Sequence, residues 1–400
     1  MKIRHTYLCL GALLTSCILT NLPAAERPDP RAVLQLATKV ADWQIETFED
    51  AAEYRAIASA RYKRLYTDRY REPENHHELD WTNAVLYIGL DEFREIAKNK
   101  RTYTDWLVDI GDRNGWRTWT RIYHADDQAV AQVWLSLYED FGDPAMEREV
   151  YRNFNHILRY PETGSLEFDK RERGYSFHSD FLDRWGWCDA LFMAPPVWAR
   201  LAEIRGRDRM LEFMDQEWQA TYDLLWVEEE NLFLRDSRFL TRSEKNGKPI
   251  FWSRGNGWVL SGLALTIPHL PDDWERRSFY TGVFQDMAGA LKGIQREDGT
   301  WSMGLLGDLE AYPDKESSGT ALITHGLAWG INNGLLDREE YEPIVLKAWH
   351  ALADCVTEEG IFGHVQPIGY APGEIFADKT EVYAVGAFLL AATEVYKLVE

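Results

Sequence analysis

The chain has 400 residues, of which 45% are hydrophobic and 27% charged, an ordinary balance for a globular protein with a large core. Its 44 Lys and Arg against 65 Asp and Glu leave a net charge of −21, which argues against nucleic acid and anionic membrane as partners. A small anionic substrate stays open, because a few arginines make one local site.

Lys2, Arg4 and His5 form a basic end, and Tyr7 to Leu22 is an apolar run too short to span a membrane. This reads as an export signal over residues 1–25, cleaved after Pro23-Ala24-Ala25. Leu14-Thr15-Ser16-Cys17 also fits a bacterial lipobox, which would leave Cys17 lipidated. The apolar Ile18 and Leu19 beyond it favour ordinary cleavage. Either reading makes the protein exported, periplasmic or a cell-surface lipoprotein. Beyond the signal only Cys188 and Cys355 remain, too few for a disulfide framework. No further stretch reads as a membrane span.

No low-complexity segment or Pro/Gly/Ser linker interrupts residues 28–400, which read as a single domain. Apolar positions at helical spacing predict helices over 30–49, 81–98, 102–113, 126–140, 145–159, 190–204, 208–226, 257–268, 274–294, 318–333, 339–357 and 381–399. Paired helices without alternating strands predict an all-α fold, six helical hairpins closed into an (α/α)6 barrel. A hairpin solenoid is the alternative, but no fixed-period repeat accompanies it. Leu232-Phe233-Leu234-Arg235 and Pro249-Ile250-Phe251-Trp252 flank Lys245-Asn246-Gly247-Lys248 and predict a small β-hairpin insertion.

Several segments carry candidate chemistry. His124-Ala125-Asp126-Asp127-Gln128 opens a helix; capping uses one aspartate and leaves the other free. Trp185-Gly186-Trp187-Cys188-Asp189-Ala190-Leu191-Phe192-Met193 sets a carboxylate among aromatics, where an apolar setting raises a carboxyl pKa. Helix capping and proton donation are equally open for Asp189 on this segment alone. Leu234-Arg235-Asp236-Ser237-Arg238 is a charged cluster in a strand-like piece, in which balanced charges also suit an exposed edge.

Phe251-Trp252-Ser253-Arg254-Gly255-Asn256-Gly257-Trp258 places a planar five-donor fork between indoles, suited to a carboxylate. Glu316-Ser317-Ser318-Gly319-Thr320-Ala321 reads as a helix start with capping hydroxyls. With 17 Trp, the composition hints at sugar stacking, although helical barrels also bury many aromatics. No phosphate loop, His-Glu-x-x-His, paired Cys-x-x-Cys or Gly-x-Ser-x-Gly motif occurs. His76-His77 makes a poor metal pair, since adjacent residues rarely face one ion. No metal and no cofactor are implied.

Four of these segments, from His124 through Trp187–Met193 and Trp252–Trp258 to Glu316–Ala321, occur in one order at suitable separations. Together they resemble the unsaturated rhamnogalacturonyl hydrolases, family 105 of the glycoside hydrolases, and more distantly the unsaturated glucuronyl hydrolases of family 88. The resemblance runs from about Asp80-Trp81-Thr82-Asn83 to about Tyr383. It implies an (α/α)6 barrel that removes a 4,5-unsaturated uronic acid from the non-reducing end of lyase-generated oligosaccharides. The implied chemistry is protonation of C4, hydration of C5 and opening of the hemiketal.

The resemblance implies that Asp189 is the catalytic aspartate, with Asp126 or Asp127 as the second acid and the register favouring Asp126. It implies Trp252 and Arg254 as contacts to the unsaturated sugar, Arg254 holding its carboxylate. His124, Trp187, Arg235 and Trp258 complete the candidate substrate contacts. Some family members have a His near Leu234-Arg235-Asp236; this chain reads Arg-Asp, so a glucuronyl end from ulvan is as plausible as a galacturonyl end from pectin. An inverting glycosidase on saturated polysaccharide, with two carboxylates about 6.5–9.5 Å apart, is an alternative. A non-catalytic sugar-binding lipoprotein is another. Nothing in the sequence reports the oligomeric state.

Overall fold

Twelve long helices make up the fold in the computed structural model, which describes residues 26–56, 75–168 and 180–400. They are α1 (Pro30–Glu46), α2 (Trp81–Arg94), α3 (Lys100–Asn114), α4 (Ala131–Phe141), α5 (Ala145–Arg159), α6 (Pro195–Arg205), α7 (Asp208–Leu225), α8 (Ser253–Thr266), α9 (Arg277–Gly293), α10 (Ser317–Asn332), α11 (Arg338–Ala353) and α12 (Val382–Val399). The expected export signal and Cys17 lie outside the described residues.

Local signals start and stop these helices. Asp29, Asp80 and Asp337 each accept a backbone N–H at the start of α1, α2 and α11. Gly115, Gly142 and Gly206 end α3, α4 and α6 in the left-handed conformation that glycine adopts without strain.

The even-numbered helices pack in sequence, α2 on α4, α4 on α6, α6 on α8, α8 on α10 and α10 on α12, and α12 returns to α2. That closes an inner ring. The odd helices back it: α1 lies on α12, α3 on α2, α5 on α4, α7 on α6, α9 on α8 and α11 on α10. This is the expected (α/α)6 barrel. The inner helices are apolar on nearly every side because they are covered on every side. By length and composition α12 could cross a membrane, contrary to the sequence reading, but it is 89% buried inside the ring. At the α2–α12 crossing, Gly89 and Gly386 let the backbones touch; a Cβ on Gly386 would lie 2.1 Å from the Val85 carbonyl oxygen.

Several expected boundaries move. The helix over 30–49 ends at Glu46 and gives way to a 3-10 turn, Phe48–Tyr54. The expected 81–98 and 339–357 stop at Arg94 and Ala353. The helices over 126–140 and 190–204 are each broken, into Ala125–Gln128 then α4, and Ala190–Met193 then α6. Pro195 and Pro196 explain the second break, since neither has an N–H for the helical ladder.

The expected β-hairpin is displaced. The two-stranded antiparallel sheet pairs Trp226–Val227 with Leu232–Phe233, one strand earlier than the pattern indicated. Asn246-Gly247 does make a turn, but Ser243 and Pro249 around it form only an isolated bridge, and Trp252 bridges Gly304. Cys188 and Cys355 are buried free thiols.

Candidate active site

The N-terminal ends of the inner helices share one end of the barrel and bring the singled-out segments together. Helix N-termini favour negative charge, and acids gather there. Asp80 caps α2, and Glu316 caps α10 by accepting from the Ser318 and Gly319 amides. The cap of that segment is the glutamate rather than the expected hydroxyls. Glu381, just before α12, pairs with Arg55 at 3.2 Å and lies 3.4 Å from His76. His77 stacks on Trp119.

Asp189 precedes the short helix Ala190–Met193 and makes no capping hydrogen bond, so the capping reading fails. Its Oδ2 lies 3.2 Å from Arg235 Nε and accepts weakly from the Cys188 thiol at 3.5 Å. Arg235 arrives there because its chain runs beside the Asp189 segment. The Cys188 amide donates to the Arg235 carbonyl at 2.9 Å, and Trp187 bridges Asp236. Arg235 Nη1 also donates to Asp236 Oδ2 at 2.8 Å. Asp236 is fully buried and holds Arg238 through Nε at 2.8 Å. Burial pulls the Asp236 carboxyl upward, but the Arg238 and Arg235 guanidiniums win and hold it below the ordinary range. Two arginines and two aspartates thus form one charge-balanced chain ending at Asp189.

The two adjacent aspartates of the other segment have different surroundings. Asp127 is fully buried and is held by Arg121, which donates from its main-chain N–H at 2.8 Å and from Nε at 3.2 Å, both to Oδ2. Among the described residues Asp126 has no arginine or lysine partner; its neighbour is His124 Nδ1, 3.8 Å away. Its side chain keeps 20% exposure. Burial of the rest pushes this carboxyl up to about 8; Arg121 opposes the rise, and the Asp127 and Asp189 carboxylates add to it. Burial also holds His124 well below its ordinary pKa, so the ring is neutral. Its Nδ1 accepts from the Asp126 amide at 3.2 Å, which leaves the ring proton on Nε2. The ring lies 5.1 Å from that of Trp187.

The indoles and Arg254 are deeper than expected. Trp187, Trp252 and Trp258 are each at most 2% exposed. Trp258 packs on Phe192 and edge-on to Trp81, which keeps partial exposure at the start of α2. Arg254 belongs to the first turn of α8 rather than to a loop. Its fork donates to the carbonyls of Gln366 at 3.1 Å and Pro367 at 2.9 Å and to the Tyr383 hydroxyl. The guanidinium is stacked 4.4 Å over the Trp252 ring. Arg254 Nε and Gln366 Nε2 are buried without a hydrogen-bond partner among the described residues. Sequence reasoning missed Trp81, whose signal was its place beside the Asp80 cap. It also missed the direct contact of Arg235 with Asp189, for which no local signal exists.

Comparisons with known proteins bear on the family and the fold. A model of Glycosyl Hydrolase Family 88 matches residues 37–399. An unsaturated 3S-rhamnoglycuronyl hydrolase from Formosa agariphila is 40% identical over 328 residues, 80% of this chain and 85% of that protein. An enzyme of the same name from an Alteromonas species is 34% identical over 331 residues, 80% of each chain. Among solved structures, a glycosyl hydrolase family 88 protein from Bacteroides vulgatus superposes with a TM-score of 0.75 at 28% identity, over 93% of this chain and all of that one.

Proposed function

The chain belongs to glycosyl hydrolase family 88, and from that premise we propose that Asp126 and Asp189 divide acid and base work in removing an unsaturated uronic acid from an oligosaccharide end. The enzyme is a glycoside hydrolase acting on unsaturated uronyl oligosaccharides. The substrate class we assign is the one its relatives are named for, an unsaturated 3S-rhamnoglycuronyl end. That favours an ulvan-type end over a pectin-type end.

One observation carries the division of labour: Asp189 is ion-paired with Arg235, whereas Asp126 has no arginine or lysine partner among the described residues and stays partly exposed. A carboxyl that keeps its proton near neutral pH is the better acid, and one paired with a guanidinium is the better base. Asp126 gives its proton to C4 of the enol ether. Positive charge develops at C5 and on the ring oxygen. Water adds at C5 and passes its proton to Asp189. The hemiketal then opens and releases the alcohol of the next sugar, for a net uptake of one water. The proton gained by Asp189 returns through solvent to Asp126. Neutral His124, anchored by its Nδ1, orients the Asp126 backbone. Asp127 and Asp236 hold arginines in place. Trp187, Trp252, Trp258 and Arg254 form the wall behind the site, and Arg235, with 15% of its side chain exposed, is the cation best placed for the substrate carboxylate.

The test is the ultraviolet absorbance of the conjugated uronate in lyase-made ulvan and pectin fragments. Loss of that absorbance with ulvan fragments is the expected result. Release of saturated sugar with the absorbance intact would favour an ordinary inverting glycosidase instead. Export rests on the basic and apolar character of residues 2–22. The mass of the secreted protein distinguishes cleavage before Glu26 from lipidation at Cys17.

A further inference from the structure

The opposite end of the barrel, where the inner helices finish, encloses a second chamber of about 670 Å³. It lies ~16 Å along α2 from the catalytic end, taking eleven residues from Trp81 to Glu92 at ~1.5 Å each. It opens to solvent past Asn332 and Asn333, both exposed. Its size is that of a small-molecule site.

The lining groups fix the chemistry. The cations on its wall are paired: Arg200 with Glu139 at 2.7 Å, Lys397 with Glu394 at 2.6 Å and Arg338 with Glu342 at 2.6 Å. An anionic ligand therefore finds no free cation there. Glu92 lines the chamber, and among the described residues its side chain has no hydrogen-bond or ion-pair partner. Burial, reinforced by Asp91 and Glu394 and opposed by Lys397, raises its carboxyl to about 7. His325, 2% exposed, also lines the chamber; its Nδ1 meets the Ser261 hydroxyl at 2.7 Å and its Nε2 has no partner. Burial holds that ring neutral. Trp329 contributes an indole, 9% exposed, to the same wall.

An unpaired carboxyl beside the paired Asp91 and Glu394, a neutral imidazole, side-chain amides and an indole suit a ligand with many hydroxyls and an apolar C–H face. The N–H groups of Gln132 and Asn332 already donate within the protein, so ligand hydroxyls donate to the Glu92 carboxylate and to the amide oxygens, and the sugar face packs on the indole. We propose that this chamber is a second, non-catalytic site for a neutral sugar of mono- or disaccharide size. The proposal does not depend on the assignment of the catalytic residues.

Calorimetric titration of the folded full-length enzyme with L-rhamnose tests it. Saturable binding is expected, weakened about tenfold by Glu92→Gln, the cost of one charge-assisted hydrogen bond. Asn333→Arg, at the exposed mouth, is expected to block the chamber without touching the core. It keeps the test informative if Glu92→Gln does not fold. Turnover of unsaturated oligosaccharide should show no competitive inhibition by L-rhamnose. No saturable binding, binding unchanged in both variants, or purely competitive inhibition would each overturn the proposal. The last two would move the sugar to the catalytic end, and loss of turnover alone would bear only on the catalytic assignment.

Discussion

Replacing Asp126 by Asn separates the acid role from every structural role of this segment, because the site sets its carboxyl apart from Asp127. Its carboxyl stands at about 8 in the folded chain, against 3.8 for an ordinary aspartate. At ~1.4 kcal/mol per pH unit the gap corresponds to ~6 kcal/mol, an upper bound because solvent reaches part of the side chain. A carboxyl raised on folding stabilises the protein fully below the unfolded value of 3.8, and that contribution is lost as pH climbs towards about 8. Asn has no proton to lose.

Asp126→Asn should therefore be the more stable protein at about pH 9, by ~2–6 kcal/mol, and the difference should close towards about pH 4. Thermal or urea unfolding across that range measures it. Activity should move the other way. The wild-type kcat/KM, followed by loss of uronate absorbance, should fall tenfold per unit above about pH 8, and the variant should lose ~10²–10⁴ of its turnover below about pH 8, with the gap narrowing above it. An Asn variant less stable than wild type at alkaline pH would refute the reasoning. So would a wild-type profile flat through about pH 9.

Asp189→Asn should remove ~10²–10⁴ of turnover while leaving the melting temperature close to wild type, because Asp189 makes no capping bond and Arg235 keeps Asp236; a large stability loss would return Asp189 to a structural role. Asp127→Asn should do the reverse. It weakens the Arg121 pair and should cost about 1–3 kcal/mol in urea unfolding, while kcat stays within an order of magnitude, since Arg121 is partly exposed and the pair partly screened. Gly386→Ala forces a methyl against the Val85 carbonyl and should cost about 1–3 kcal/mol or more by separating α2 from α12, read as a lower melting temperature.

The helical period made the fold legible, and the twelve long helices fall within a few residues of where it put them. What it blurred was local. Apolar spacing continues across Ala129–Val130 and across Ala194, so two helices read as unbroken although the chain turns there. Asn246-Gly247 gives a true turn signal, but a turn does not choose strand partners. Leu232–Phe233 pairs with Trp226–Val227 across a four-residue loop, because the shorter loop closes more cheaply. Glycines and indoles around Arg254 resemble a loop in composition. In the fold the same glycines serve close packing in α8, where a Cβ on Gly257 would meet Leu322 at 2.9 Å.

The site was legible as a set of residue types and not as a set of pairs. Asp126 and Asp127 are neighbours in sequence, and only the position of Arg121 tells them apart. Arg235 lies 46 residues from Asp189, a distance over which no motif specifies contact. That contact matters most for the chemistry. It sets the Arg235 guanidinium 3.2 Å from the Asp189 carboxylate. In the proposed division of labour the proton donor is the carboxyl without such a partner among the described residues, and of the two aspartates of the His124 segment only Asp126 meets that condition. The pairing of Arg235 thus bears on the role proposed for Asp126, which lies 109 residues away in the chain and in a different segment at the same end of the barrel.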